Sequence, residues 1–321
     1  MKRLLKWIGG MVLLTIAALL AIGYAPDTDP AAMRKKYASA TSQFIDVGGG
    51  LTMHLRDEGK RDGPTLVLLH GSSSSLHTWE PWVARLGAKY RIISLDQIGH
   101  GLTGPNPSGD YTAKAVVSTL DAAMAKLGVA KFALAGNSAG GWAAWEYTLV
   151  HPDKVTKLIL IDAGGPPDDG KRSLPLGFRI LLTPGVNLLA NIITPRSIIA
   201  KSVHQTISNQ AIVTEAMIDR YWELNRYPGN RNASRLRFAE FANRGLHADQ
   251  LGEIKVPTLI LWGGEDKLIP VSGADWFAAR IKGSQKIVYS GIGHLPMEEA
   301  ADQSAKDADA FLSLPFAAKP L

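Results

Sequence analysis

Short apolar runs alternate with longer amphipathic segments along most of the chain. Residues 64–71 and 131–138 each hold a continuously apolar run bounded by proline, glycine or charge, which is typical of a buried strand. Between such runs lie segments like 111–128, with apolar residues at helical spacing and a glycine at the end. Because strands that are apolar on both faces need helices on both sides, the pattern predicts an α/β fold with a doubly wound, mostly parallel sheet.

The alternation of strand and helix is interrupted once. Residues 166–246 contain no clear buried strand, look helical and are broken by several prolines. We interpret them as a helical lid inserted between two parts of an α/β core, 43–165 and 247–321, with a polar linker at 26–42. Ligands of such sheets bind outside the carboxyl ends of the strands, so an insertion leaving from that edge is expected to cover the site.

The first 25 residues have a pattern of their own. Lys2, Arg3 and Lys6 precede an uncharged run over residues 7–25, with aromatic residues near both ends. As a helix this run would extend about 28 Å, close to the apolar thickness of a bilayer. It predicts an N-terminal membrane helix that acts as a signal anchor, with an exported catalytic domain. A cleaved signal peptide, which would give a secreted protein, and a buried core helix remain alternatives.

Composition narrows the classes of function. The chain has 321 residues, is 46% hydrophobic and carries a formal net charge of +6 with scattered basic residues, so we expect a globular protein that binds no nucleic acid. It has no cysteine, which excludes disulfides, thiolate metal sites and a cysteine nucleophile. We expect neither a metal nor an organic cofactor. The oligomeric state is left open.

Residues 136–140, Gly-Asn-Ser-Ala-Gly, fit the pattern G-x-S-x-G between a predicted strand and a predicted helix. A sharp turn at that junction exposes the serine side chain above the sheet, and small residues two positions away let the backbones pass. This context predicts that Ser138 is a nucleophile. The alternative is a glycine-rich turn that packs a helix closely on the sheet.

A serine hydroxyl needs a base and an acid that orients the base. His294 follows the last predicted strand in a glycine-rich loop, and Asp266 directly follows the strand before it. The order Ser138, Asp266, His294 is the one expected for a triad on an α/β sheet. Glu265 and Asp162, which also lie at strand ends, are the competing candidates for the acid.

The tetrahedral intermediate needs two preorganised donors for its oxyanion. The backbone N–H of Ala139, at the start of the helix, is the first. The second is expected from the loop after the strand at 64–71, where we choose Ser72 ahead of Ser73. His70 is interpreted as a residue that braces this loop rather than as a base.

These landmarks together resemble the α/β-hydrolase family, in its lid-bearing, serine-nucleophile, esterase- and lipase-like branch. The resemblance covers about residues 44–314 and implies an eight-stranded sheet with one antiparallel strand. It also implies the roles of Ser138, Asp266 and His294. Family members with dehalogenase or epoxide hydrolase activity use an aspartate where this chain has Ser138. Asn137, before the nucleophile, is shared with the C–C hydrolases of ring-cleavage products.

We therefore predict a membrane-tethered carboxylic ester hydrolase that acts through an acyl-enzyme on a small apolar ester. The alternatives on the same site are C–C bond hydrolysis, amide hydrolysis and cofactor-free perhydrolysis. A non-catalytic ligand-binding protein with the same fold is the alternative from another class.

Overall fold

A computed structural model of the chain describes residues 2–240 and 247–315. The strands, β1 to β8 in chain order, are Ser42–Asp46, Thr52–Gly59, Thr65–Leu69, Arg91–Leu95, Phe132–Asn137, Val155–Ile161, Thr258–Gly263 and Gln285–Tyr289. The α-helices, α1 to α13, are Lys2–Gly23, Pro30–Tyr37, Glu80–Leu86, Ala113–Lys126, Ala139–Val150, Leu176–Leu182, Val186–Leu189, Arg196–Thr206, Glu215–Asn225, Asn230–Ala239, Ser272–Arg280, Pro296–Glu299 and Ala301–Ser313.

All eight strands form one sheet in the order β1-β2-β4-β3-β5-β6-β7-β8. β2 runs antiparallel to both of its neighbours, and the other strand pairs are parallel. The predicted doubly wound, mostly parallel sheet is therefore confirmed. Its carboxyl edge carries the loops that hold the candidate catalytic residues.

The central strands are buried on both faces, as their continuous apolar character predicts. Along β6, Leu158 and Leu160 pack into one core, whereas Ile159 and Ile161 pack into the core on the opposite face. All four side chains are fully buried. Helices cover both faces because neither face of such a strand is stable in water.

The segment between β6 and β7 is helical, as predicted. Helices α6 to α10 lie in this helical insertion, and no strand interrupts them among its described residues, 166–240. The last six residues of the predicted lid, 241–246, lie outside the described part of the chain.

An N-terminal segment, residues 23–37, packs on the helical insertion. The backbone N–H of Ala25 donates to Ile192 O at 3.1 Å, and Arg231 forms an ion pair with Asp27 at 2.6 Å. The segment therefore fixes the insertion from outside, which the sequence pattern did not indicate.

The predicted membrane anchor is wrong. Among the residues that the structure describes, no helix is long and apolar enough to cross a membrane. Helix α1 ends at Gly23, whose carbonyl accepts from Thr194 N at 2.9 Å in the insertion. The membrane-anchored localisation inferred from that anchor is wrong with it, and the described residues give no support for binding to a membrane through α1.

Candidate active site

Ser138 lies at the sharp turn between β5 and α5. Its φ is 55°, a left-handed value that is rare for any residue but glycine, and its side chain is 8% exposed. A Cβ on Gly136 would collide with the backbone of Gly140, and one on Gly140 would collide with the backbone of Leu69. The two glycines are therefore required by close approach, as the G-x-S-x-G pattern predicts.

Asn137, the last residue of β5, links the end of β6 to the loop after β8. Its buried side chain donates from Nδ2 to Ile161 O at 3.2 Å and to His294 O at 3.0 Å. A carboxylate or an apolar side chain here could not donate to these two carbonyls. Asn137 therefore ties the turn that carries Ser138 to the loop that carries His294.

His294 and Asp266 form a buried hydrogen-bonded pair. Nδ1 of His294 donates to Oδ2 of Asp266 at 2.7 Å, because the carboxylate only accepts. Oδ1 of Asp266 accepts from the backbone N–H groups of Leu268, at 2.8 Å, and Ile269, at 3.1 Å. Three donors thus fix the orientation of this carboxyl group.

The two competing acids have different environments. Glu265 is exposed to solvent, whereas Asp162 is completely buried. One carboxyl oxygen of Asp162 lies in a cluster with Asp266 and His294 in which these atoms are within 4.8 Å of one another. Asp162 is therefore near the pair, although His294 makes its hydrogen bond to Asp266.

The loop after β3 lies against Ser138. A Cβ on Gly71 would be 3.0 Å from Cβ of Ser138, and Ser72 and Ser73 line the same cavity as the nucleophile. His70 is fully buried, and burial lowers its pKa, so the ring is neutral. Its Nδ1 donates to Gly71 O at 2.8 Å, a contact that braces the loop.

Asp96, at the end of β4, forms hydrogen bonds with the loop after β3. Its Oδ1 accepts from Leu76 N at 2.8 Å, and its Oδ2 accepts from His54 Nδ1 at 2.7 Å and Leu102 N at 2.8 Å. The hydrogen bond from His54 and the nearby histidines keep the pKa of Asp96 well below its usual range despite burial. A permanent buried anion therefore holds Leu76, at the end of the loop that carries the candidate oxyanion donor Ser72.

Glu299 connects the histidine loop to the helical insertion. Its Oε2 accepts from the backbone N–H groups of Ser208, at 2.8 Å, Asn209, at 2.9 Å, and Gly293, at 3.1 Å. Its Oε1 accepts from Leu295 N at 3.2 Å. Sequence reasoning missed this residue because nothing in the local pattern distinguishes a glutamate that accepts four backbone bonds from an exposed one.

A cavity of about 1050 Å³, counted with its open mouth, lies between the carboxyl edge of the sheet and the insertion. Ser138 and His294 line it on the side of the sheet. Its wall on the side of the insertion is mostly apolar and includes Phe178, Leu181, Ile193, Ile198, Ile199 and Val203. The cavity suits a small molecule with a substantial apolar part.

Among the described residues, Asp162, Asp266 and His294 form a cluster that could hold a metal ion, with donor atoms within 4.8 Å of one another. Nδ1 of His294 and both oxygens of Asp266 are already hydrogen-bonded within the protein. Metal binding would break these contacts, so the geometry suits proton transfer better than metal binding. The absence of a metal or cofactor stays a prediction.

A family model and a relative of known sequence both match this chain over most of its length. A family model described as the alpha/beta hydrolase fold matches residues 64–301. A 2-hydroxy-6-oxononadienedioate/2-hydroxy-6-oxononatrienedioate hydrolase of Klebsiella pneumoniae is 30% identical, over 88% of this chain and 96% of that protein.

Solved structures extend the comparison. A membrane phospholipase A, titled a bacterial virulence factor, is 25% identical with a TM-score of 0.72, over 97% of this chain and 98% of that one. A meta-cleavage product hydrolase of Pseudomonas fluorescens IP01 is 21% identical with a TM-score of 0.71, over 84% of this chain and 97% of that one, and shows the fold alone.

The match to the Klebsiella protein corrects the predicted reaction. The compounds in that protein's name carry hydroxyl, oxo and carboxylate groups but no ester. The prediction of a carboxylic ester hydrolase is therefore wrong, and the alternative of C–C bond hydrolysis agrees better with this relative. With a family model over most of its length and a relative at 30% identity, the chain belongs to the α/β-hydrolase family.

Proposed function

We propose that this protein hydrolyses a C–C bond next to a ketone, in a substrate of the 2-hydroxy-6-oxo-dienoate type. The observation that carries the proposal is the buried His294–Asp266 pair, which shares a cavity with Ser138, in a chain that matches such a hydrolase over 88% of its length. A substrate of that name has no ester or amide, so hydrolysis must break a carbon–carbon bond at the oxo carbon.

The geometry supports the following triad roles. His294 accepts the hydroxyl proton of Ser138 on Nε2 while Asp266 holds Nδ1 and stabilises the imidazolium. Ser138 Oγ then attacks the ketone carbon, and the backbone N–H groups of Ala139 and Ser72 hold the oxyanion. Both groups belong to elements that pack directly on Ser138.

The bond that breaks needs a carbon leaving group. A carbanion becomes a feasible leaving group when it is delocalised as an enolate, which a 2-hydroxy-dienoate provides once it has isomerised to its keto form. The imidazolium of His294 gives its proton to the leaving carbon, and the acyl group stays on Ser138. Water, deprotonated by His294, then releases the acid. The balance is one water consumed, one C–C bond broken and one C–H bond formed.

We extend the proposal to the helical insertion, which would act as a lid. Its apolar wall covers the cavity, and Thr206 O accepts from His294 N at 3.2 Å. A covered site excludes water until the acyl-enzyme has formed. Water present in the first step could protonate the carbanion in place of His294.

The test is a panel of substrates on the purified full chain. Cleavage of a 2-hydroxy-6-oxo-dienoate is followed by the loss of its dienolate absorbance, beside p-nitrophenyl esters and phospholipids. We expect measurable cleavage of the dienoate and a loss of at least about 1000-fold in Ser138→Ala. Ser108→Ala, at an exposed serine, is the matched control.

Two results would overturn the proposal. One is turnover of phospholipids, the substrate class in the name of the membrane phospholipase A, with no cleavage of the dienoate. The other is undiminished activity in Ser138→Ala.

A further inference from the structure

Asp162 is a buried acid that the proposed reaction does not use. It ends β6, is 0% exposed and has a φ of 43°, a conformation that few residues other than glycine, asparagine and aspartate adopt readily. Its backbone N–H donates to Leu261 O at 3.0 Å, and its Oδ1 accepts from Gly263 N at 2.9 Å. The neighbouring strand β7 thus holds the carboxyl group in one orientation.

The second oxygen of this carboxyl group has no donor. Among the described residues, no N–H or O–H group reaches Oδ2 of Asp162, and the atom is fully buried. A buried carboxylate oxygen without a donor is expensive, because its charge has lost water and gained nothing. A carboxylic acid in the same place needs only an acceptor for its proton.

An acceptor is adjacent. Asp162 and Asp266 belong to the same cluster of donor atoms, within 4.8 Å, and Asp266 accepts from His294 and two backbone N–H groups. We propose that Asp162 is a protonated carboxylic acid that donates a hydrogen bond to Asp266 and thereby sets how strongly Asp266 attracts the proton of His294. Asp162 is then a positioning residue that acts through Asp266, and this role rests on the proposed triad.

The charges around Asp162 favour the same state. Burial, then the negative charge of Asp266 and a hydrogen bond to it, raise the pKa of Asp162 well above its usual value, while the Gly263 N–H lowers it less. Glu299, on α12, adds to the increase. Tyr289, at the end of β8, also faces Asp162, and burial together with a hydrogen bond to Asp307 raises the pKa of that phenol.

The consequence concerns the basicity of the triad. A donor on Asp266 withdraws negative charge from the carboxylate, so the imidazolium of His294 is less stabilised than with Asp266 alone. Removing the donor should raise the pH at which His294 becomes a base. An amide at position 162 keeps a donor without a titratable proton.

The experiment compares wild type, Asp162→Asn and Asp162→Ala. The rate at which a fluorophosphonate labels Ser138 is measured against pH, because this reaction depends on His294 and not on the natural substrate. We expect the midpoint of Asp162→Ala to rise by about 0.5 pH unit or more, and Asp162→Asn to return most of the way to wild type. The infrared difference spectrum between wild type and Asp162→Asn at neutral pH should show the carbonyl band of a protonated carboxylic acid.

The absence of that infrared band would overturn the proposal, as would equal midpoints in the two variants. If Asp162→Ala does not fold, the infrared band and the pH profile of labelling in Asp162→Asn test the protonated state of Asp162. Lack of dienoate cleavage with normal labelling would refute the proposed function and leave the role of Asp162 intact. Lack of labelling would refute Ser138 as the nucleophile, while the band would still report the proton on Asp162.

Discussion

Replacing Glu299 by glutamine tests whether one carboxylate holds the histidine loop and the insertion together. The amide oxygen can take the place of Oε2 and keep its three contacts with Ser208, Asn209 and Gly293. The amide nitrogen then faces the N–H of Leu295, which loses its acceptor. The variant therefore keeps the shape of the side chain and changes only charge and hydrogen bonding.

The expected loss can be worked out from these contacts. Hydrogen bonds to a charged acceptor contribute about 1.5–3 kcal/mol each, against about 1 kcal/mol for neutral ones, so three weakened bonds cost about 3 kcal/mol. One buried N–H without an acceptor costs about 1–3 kcal/mol more. Because such contributions are not additive, we expect Glu299→Gln to lower the free energy of unfolding by about 3–5 kcal/mol.

Urea denaturation of the full chain measures this loss, with Glu298→Gln as the matched control. Glu298 is the preceding residue of α12, and its side chain contacts the hydroxyl of Thr78 instead of the backbone of the two loops. Burial raises the pKa of Glu298 to about 7, so at about pH 6 this side chain is protonated in the folded protein and ionised in the unfolded chain. The control should therefore gain about 2 kcal/mol, in contrast to the loss expected for Glu299→Gln.

Fluorophosphonate labelling of Ser138 gives the functional readout of the same variant. A displaced His294 should slow the labelling by about 10- to 100-fold in Glu299→Gln, with little change in the control. An unfolding free energy within about 1 kcal/mol of wild type, with unchanged labelling, would refute the reasoning.

Three further variants test other contacts. Asn137→Ala removes the donor to two buried carbonyls, so labelling of Ser138 should slow at least about tenfold and the unfolding free energy should fall by about 2 kcal/mol; a wild-type labelling rate would contradict this. In Gly140→Ala the new Cβ meets the backbone of Leu69, so we expect little folded protein by circular dichroism, and a normal melting curve would be evidence against the close approach. Because the pKa of Glu298 rises from 4.5 to about 7 on folding, the stability it contributes is present below pH 4.5 and lost as the pH rises to about 7. Glu298→Gln should therefore gain up to about 3 kcal/mol relative to wild type across this window in urea denaturation, and a difference independent of pH would contradict the shift.

The sheet could be predicted from the sequence because its signal is local. Each central strand is apolar at every position, and burial on both faces requires that pattern. The turn at Ser138 was equally readable, since two glycines at fixed offsets follow from the steric demands of the turn. The position of Asp266 and His294 at strand ends followed from the same alternation.

Other features depend on contacts that no local pattern encodes. Glu299 accepts from loops more than 80 residues apart, Ser208 and Gly293 among them. The end of helix α1 depends on its contact with Thr194 in the insertion. The sequence does not select the reaction, because a Ser-His-Asp triad serves esters and carbon–carbon bonds alike.

The N-terminal segment, residues 23–37, has a consequence for how the protein is made. Its ion pair from Asp27 reaches Arg231, 204 positions later in the chain. A ribosome that adds about 5–20 residues per second needs roughly 10–40 s to produce that partner after the segment has emerged. Met33 and Tyr37, which are buried in the finished protein, therefore have no insertion to pack on for most of synthesis. The buried contacts of this segment therefore form only after the insertion has been made, and β7 and β8 complete the sheet later still.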